Sequence, residues 1–79
     1  MNNMRISEVR WKCRKGIREV DILFSKYMEE VYRDLTAEQQ KIFIEFIQQD
    51  TYEILDILVN NKSFDTKFTN IVDALKSLN

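Results

Sequence analysis

Apolar residues recur at intervals of three and four along most of the chain, and this spacing most constrains what the chain can fold into. Val20, Phe24, Tyr27, Val31 and Leu35 form one such stripe, and Phe68, Ile71, Val72, Leu75 and Leu78 form another. On a helix these positions share a face, whereas on a strand they would scatter over both sides. No segment reads as a strand pair or as a glycine-rich phosphate loop. Proline is absent and glycine occurs once, at position 16.

Capping residues mark the helix boundaries. Ser7 is an acceptable N-cap for a first helix running to about Lys15, with basic residues in its last turn and Gly16 following at C′. A second helix is predicted from about Arg18 to Asp34, with Glu19 and Asp21 in its first turn, where the helix dipole favours acids. "TAEQ" supplies a capping box, Thr36 with Gln39, for a third helix to about Gln49; its core candidates are Ile42, Phe43, Phe46 and Ile47. "DTYE" repeats the device with Asp50 and Glu53, opening a short fourth helix through about Val59. "VNNKSFD" is a loop, after which Asp65 or Thr66 caps the last helix. The expected fold is all-α: a compact bundle of about five short helices forming one domain over residues 1–79.

Composition narrows the chemistry. The chain has no histidine and one cysteine, Cys13, so neither an intrachain disulfide nor the usual zinc sites can be built. The same lack removes Ser–His and Cys–His nucleophile pairs and any imidazole base, which argues against an enzyme. No apolar run approaches the length of a membrane span, and "MNNMRISEVRW" has no signal-peptide core. The expected setting is therefore the cytoplasm of a bacterium.

Charge is unevenly spread. Residues 1–18 hold six bases against Glu8 alone, a net +5, while the rest holds six bases against twelve acids, a net −6. Within "WKCRKGIREVD", residues 11–21, the sign flips just after the lone glycine. A wheel of about 100° per residue puts Ile6, Val9 and Cys13 on a core stripe, with Arg10 and Arg14 flanking it. Trp11 falls away from that stripe, beside Arg14 and Lys15. It has two readings: a later helix covers it, or it is an exposed aromatic anchor ringed by arginine, as at interface hot spots. Gly16 also has two: a C′ residue free to take positive φ, or a place where another backbone comes close. Spacing alone favours the C′ reading. Lys15 and Arg18 would ordinarily be a solvated basic rim.

These residues resemble the signature of the succinate dehydrogenase assembly factor family. The signature is a basic helix end reading Arg-Gly-x-x-Glu, then an aliphatic residue and Asp; here it meets Gly16, Glu19, Val20 and Asp21, with Arg14 preceding. Lys15 stands where the family usually has arginine, keeping the charge without the planar guanidinium fork. The resemblance continues through "FSKYMEEVYRDLTAEQQKIFIEFIQQDTYEILDIL" and is strongest over residues 5–60. It implies a five-helix, non-catalytic protein that binds the flavoprotein subunit of succinate dehydrogenase, or of fumarate reductase in some cases. There it promotes covalent attachment of FAD to a histidine of that subunit. Wheel and motif together give a candidate partner-binding surface at the turn between the first two helices: Arg10, Trp11, Arg14, Lys15, Gly16, Arg18, Glu19 and Asp21.

FAD is then the partner's cofactor. With no dinucleotide fingerprint of its own, the chain is expected to bind none tightly. It is expected to be a monomer when free, with no nucleic acid partner and no direct membrane insertion. An antitoxin-like module neutralising a membrane-associated toxin is the alternative, since related sequences also carry that label. A small nucleic-acid binder using the basic first helix fits less well, because the net charge is −1 and the bases lie within one short segment.

Overall fold

A computed structural model of the chain describes residues 5–78; Met1–Met4, the start of the segment read above as lacking a leader, and Asn79 lie outside them. Among the described residues five α-helices follow one another: α1 (Ile6–Lys12), α2 (Arg18–Glu30), α3 (Ala37–Ile47), α4 (Thr51–Val59) and α5 (Thr69–Ser77). Short 3-10 turns at Tyr32–Asp34 and Thr66–Phe68 lead into α3 and α5. There is no strand among the described residues. Helices α2 and α4 both pack against α5, and the molecule measures 33 × 25 × 21 Å.

The expected inward faces are largely the observed ones. Val20, Phe24 and Tyr27 of α2, Phe43, Phe46 and Ile47 of α3, and Ile71, Val72 and Leu75 of α5 are buried together. Aromatic rings dominate the centre. Phe43 stacks on Tyr27 at 4.4 Å and meets Phe24 edge-on at 5.9 Å, while Phe46 meets Phe68 at 5.1 Å. Such offset and edge contacts add to the transfer free energy of burying the rings.

Several boundaries differ from those read in the sequence. Helix α1 starts one residue before Ser7, after Arg5, whose backbone N–H is accepted by Glu8 Oε1 at 3.1 Å. Ile6 therefore falls in the exposed first turn and leaves the core stripe to Val9 and Cys13. Helix α2 ends at Glu30 rather than Asp34. Val31 leaves helical geometry, and the 3-10 turn then sets the Tyr32 ring 5.6 Å from Phe43. The Thr36–Gln39 box forms as expected, with contacts of 2.9 and 3.1 Å. The second box does not. Asp50 caps α4 by accepting from Tyr52 N–H at 3.0 Å, but Glu53 turns away to pair with Lys62 at 2.8 Å. Asp65 opens the turn before α5, accepting from Lys67 N–H at 3.0 Å.

Candidate functional site

Helix α1 stops at Lys12, three residues short of the expected Lys15, and Cys13 occupies its C-cap. The cause lies on α2. The Asp21 carboxylate reaches back across the turn, accepting from Lys15 N–H at 2.7 Å and from Gly16 N–H at 3.2 Å. A charged acceptor outbids the carbonyls that would have continued α1, because hydrogen bonds to an ionised group are the stronger ones. Gly16 is thus not the C′ residue of α1. It sits later in the connection with φ +80°, in the left-handed region that glycine enters without a Cβ penalty. A Cβ added there would meet nothing within 4 Å, so the glycine serves backbone conformation and leaves open space over the turn.

Lys15 departs from a solvated rim. Its side chain is half-buried and its Nζ donates to the carbonyl of Ile47, the last residue of α3. Helix C-termini leave carbonyls without intrahelical donors and carry partial negative charge, so an ammonium fits there. Burial lowers the Lys15 pKa from its ordinary value. One end of the motif therefore tethers the turn to α3 while Asp21 fixes its shape.

The guanidinium groups of Arg10 and Arg14 are not used in this way. The ion pairs among the described residues are Lys62–Glu53 and Lys67–Glu45, both remote in sequence from the turn. Arg10 and Arg14 line a groove of about 340 Å³ together with Cys13, Asp21, Phe24, Ser25 and Met28. Arg14 and Asp21 also border a shallower depression with Trp11, Lys12 and Gly16. Trp11 is 71% exposed, so no described helix covers it. Arg18 is exposed at the start of α2. Glu19 faces elsewhere, lining a third depression with Ile22, Leu23, Lys26, Leu58 and Val59.

Five of the eight residues singled out in the sequence, Arg10, Trp11, Arg14, Gly16 and Asp21, thus surround two adjoining hollows. Lys15 is turned inward, and Glu19 is turned to another face. Reading the sequence missed Phe24, Ser25 and Met28 as groove residues; their spacing with Asp21 along α2 marks one helix face.

Cys13 is buried, and desolvation pushes its thiol up to about 12 despite Lys15 and Arg10 nearby. It is a protonated core residue, unlike the exposed thiolates of reactive cysteines. No cluster of three or more His, Cys, Asp or Glu placed to hold a metal occurs among the described residues. No described helix is long and apolar enough to cross a membrane.

The described residues thus form a small all-α domain with a basic, aromatic-bearing corner between its first two helices. Comparison with known proteins makes this specific. The chain belongs to the family described as flavinator of succinate dehydrogenase, whose model matches residues 7–79. It is similar to the FAD assembly factor SdhE of Shewanella oneidensis, 39% identical over 54 residues covering 68% of this chain and 66% of that protein. It is also similar to the FAD assembly factor SdhE of Coxiella burnetii, 32% identical over 72 residues covering 90% of this chain and 88% of that one. A third relative, from Pectobacterium atrosepticum, carries the same name and is 31% identical over 70% of this chain and 62% of its own length. The match thus spans just under two thirds of the Shewanella and Pectobacterium proteins. No solved structure matches the chain. The antitoxin-like alternative finds no support in these relatives.

Proposed function

We propose that this chain binds the flavoprotein subunit of succinate dehydrogenase through the corner between α1 and α2, and so promotes covalent attachment of that subunit's FAD. The observation that carries this reading is a family motif whose backbone is held internally while its guanidinium groups are left unspent. Asp21 and Lys15 hold the turn. Arg10, Arg14 and Trp11 then face outward around Gly16. Charged side chains held on a prepared backbone lose less entropy on binding than a floppy loop would.

The roles divide accordingly. Arg14 supplies the planar fork for a partner carboxylate, since Lys15 is committed to α3. Gly16 admits close approach of the partner's backbone. Trp11 is the apolar anchor beside these charges, the combination enriched at hot spots. The chain takes no part in bond making: it has no histidine to accept a flavin and holds no FAD tightly itself. It acts by binding the attachment-competent arrangement of the flavoprotein more tightly than other arrangements, the only way a ligand can shift such an equilibrium. Release after attachment calls for a modest, polar interface.

In-gel flavin fluorescence of the flavoprotein subunit, with and without this chain, tests the reading; the signal should rise when the chain is present. Gly16→Arg fills the open space over the turn and strains its φ of +80°; it should abolish co-purification and the fluorescence gain while helicity stays intact. Unchanged capture and unchanged flavin attachment with this variant would remove the corner from the interface. The same assay with a fumarate reductase flavoprotein asks whether that subunit is a second client.

A further inference from the structure

Helix α4 is apolar over most of its circumference, with Glu53 and Asp56 taking the remaining arc. Ile54, Ile57 and Leu58 point into the core, yet Tyr52 is 69% exposed and Val59 56% exposed. With half-buried Leu55 they form a second, outward stripe at helical spacing. The apolar arc is thus wider than the core covers, which leaves this stripe open. It runs into the outward face of α2, where exposed Ile22 and half-buried Leu23 share a depression of about 400 Å³ with Leu58 and Val59.

The rim of this depression carries Glu19 and Lys26, one of each sign, in contrast to the basic corner. They lie seven residues apart on one face of α2, about 10 Å along its axis, with Ile22 and Leu23 midway between them. A two-fold axis passing at Ile22 and Leu23 would lay α2 antiparallel on α2 of another copy. Each Glu19 then meets the other copy's Lys26, and the apolar pair packs on itself. An interface of this isologous kind must be self-complementary, and this face is.

We propose that the outward face of α2 and α4 is a self-association surface, through which two copies of the chain pair about a two-fold axis with Glu19 of each opposite Lys26 of the other. The patch holds roughly half a dozen apolar side chains a copy, well short of the about 20–30 residues a side in a stable interface. The dimer is therefore weak and concentration-dependent, and the monomer persists in dilute solution.

Sedimentation velocity on the full chain, from about 1 μM to about 1 mM, tests the pairing itself without reference to any partner. The weight-average mass should climb from 9.5 kDa toward twice that value. Val59→Asp, at an exposed position, should keep helicity by circular dichroism and hold the mass at that of one chain. Glu19→Lys or Lys26→Glu alone should weaken pairing about tenfold, by setting like charges opposite each other twice. The double exchange should restore it. A single-chain mass for the wild type throughout the range overturns the proposal. So does a double exchange no better than the single ones, since the two-fold register would then be wrong. Val59→Asp that leaves the mass profile untouched but loses flavoprotein capture would assign this face to the partner instead. Loss of the dimer with flavin attachment intact supports the pairing and leaves the docking reading standing.

Discussion

At the centre of the molecule Phe43 stacks on Tyr27 at 4.4 Å and no polar or charged residue is buried among the described ones. At the α1–α2 corner the order comes instead from a carboxylate on two backbone N–H groups and an ammonium on a helix-end carbonyl. The core is held by area removed from water, a term that scales with ring size and has no direction. The corner is held by a few directional contacts that fix a shape while burying little. The contrast separates what keeps the chain folded from what sets the geometry a partner would meet, and substitutions should separate them too.

The largest effect is expected in the core. Phe43→Ala removes a fully buried ring that contacts Tyr27, Phe24 and Tyr32, and should cost about 3–5 kcal/mol in urea unfolding. For a domain this small that is a large share of the whole, so the variant should be substantially unfolded at 37 °C. A loss under about 1 kcal/mol would mean that the ring is not central. At the corner, Asp21→Ala leaves the N–H groups of Lys15 and Gly16 without their acceptor. It should cost about 1–3 kcal/mol, because the turn is partly shielded from water. Helicity and near-ultraviolet signals of the core should survive while flavoprotein capture fails. Hydrogen exchange at the Lys15 and Gly16 amides should accelerate specifically; equal acceleration across α3 and α5 would merge the two regions into one cooperative unit.

This division also explains what could be read from sequence. The Thr36–Gln39 box and the Asp50 and Asp65 caps were legible because donor and acceptor lie two or three residues apart. The inward stripes were legible because helical period and burial coincide. The end of α1 was not, because the group that terminates it sits on the next helix. The role of Lys15 was less accessible still: its acceptor, Ile47, is 32 residues away. A lysine next to a glycine and a second base reads locally as surface charge, and only packing α3 against the turn changes that. The outward stripe of α4 was missed for a different reason. A nine-residue helix with apolar groups on most sides gives periodicity no face to choose. Arg10 and Trp11 lie on one helix, with Arg14 just past its C-cap, close enough for the wheel to place them. The Phe24, Ser25 and Met28 wall of their groove depends on how α2 returns after the turn.

Alkaline titration should split the regions by sign. Burial raises Cys13 from 9.0 to about 12 and Tyr27 from 10.0 to about 12, so above pH 9 the unfolded chain loses protons that the folded chain keeps. Stability from these groups is fully present below their unfolded pKa values and falls as pH rises, by about 1 kcal/mol from Cys13 alone at pH 10. Lys15 has the opposite sign: burial lowers its pKa in the folded state, so its contribution improves as pH approaches the unfolded value of 10.5. Urea midpoints between pH 8 and pH 10 should therefore fall for the wild type. They should fall less for Cys13→Ala and more steeply for Lys15→Met. A flat profile in all three would show that neither burial carries into the titration.

The smallest change in stability is expected from the largest side chain at the corner. Trp11 is 71% exposed and its ring borders a shallow hollow with Lys12, Arg14 and Gly16, so replacing it gives up little packing. Trp11→Ala should shift the urea midpoint by no more than about 0.5 kcal/mol, the range of surface substitutions away from caps and cores. If the ring anchors the flavoprotein, the same substitution should weaken capture by about thirtyfold or more, since truncated hot-spot aromatics cost about 2 kcal/mol or more. An aromatic ring whose loss unfolds nothing yet abolishes binding would place the corner's free energy outside the monomer, in a contact that exists only when the partner is present. Intact capture with Trp11→Ala would instead leave Arg10 and Arg14 to hold the partner through charge alone, and capture would then decline steeply as salt is raised.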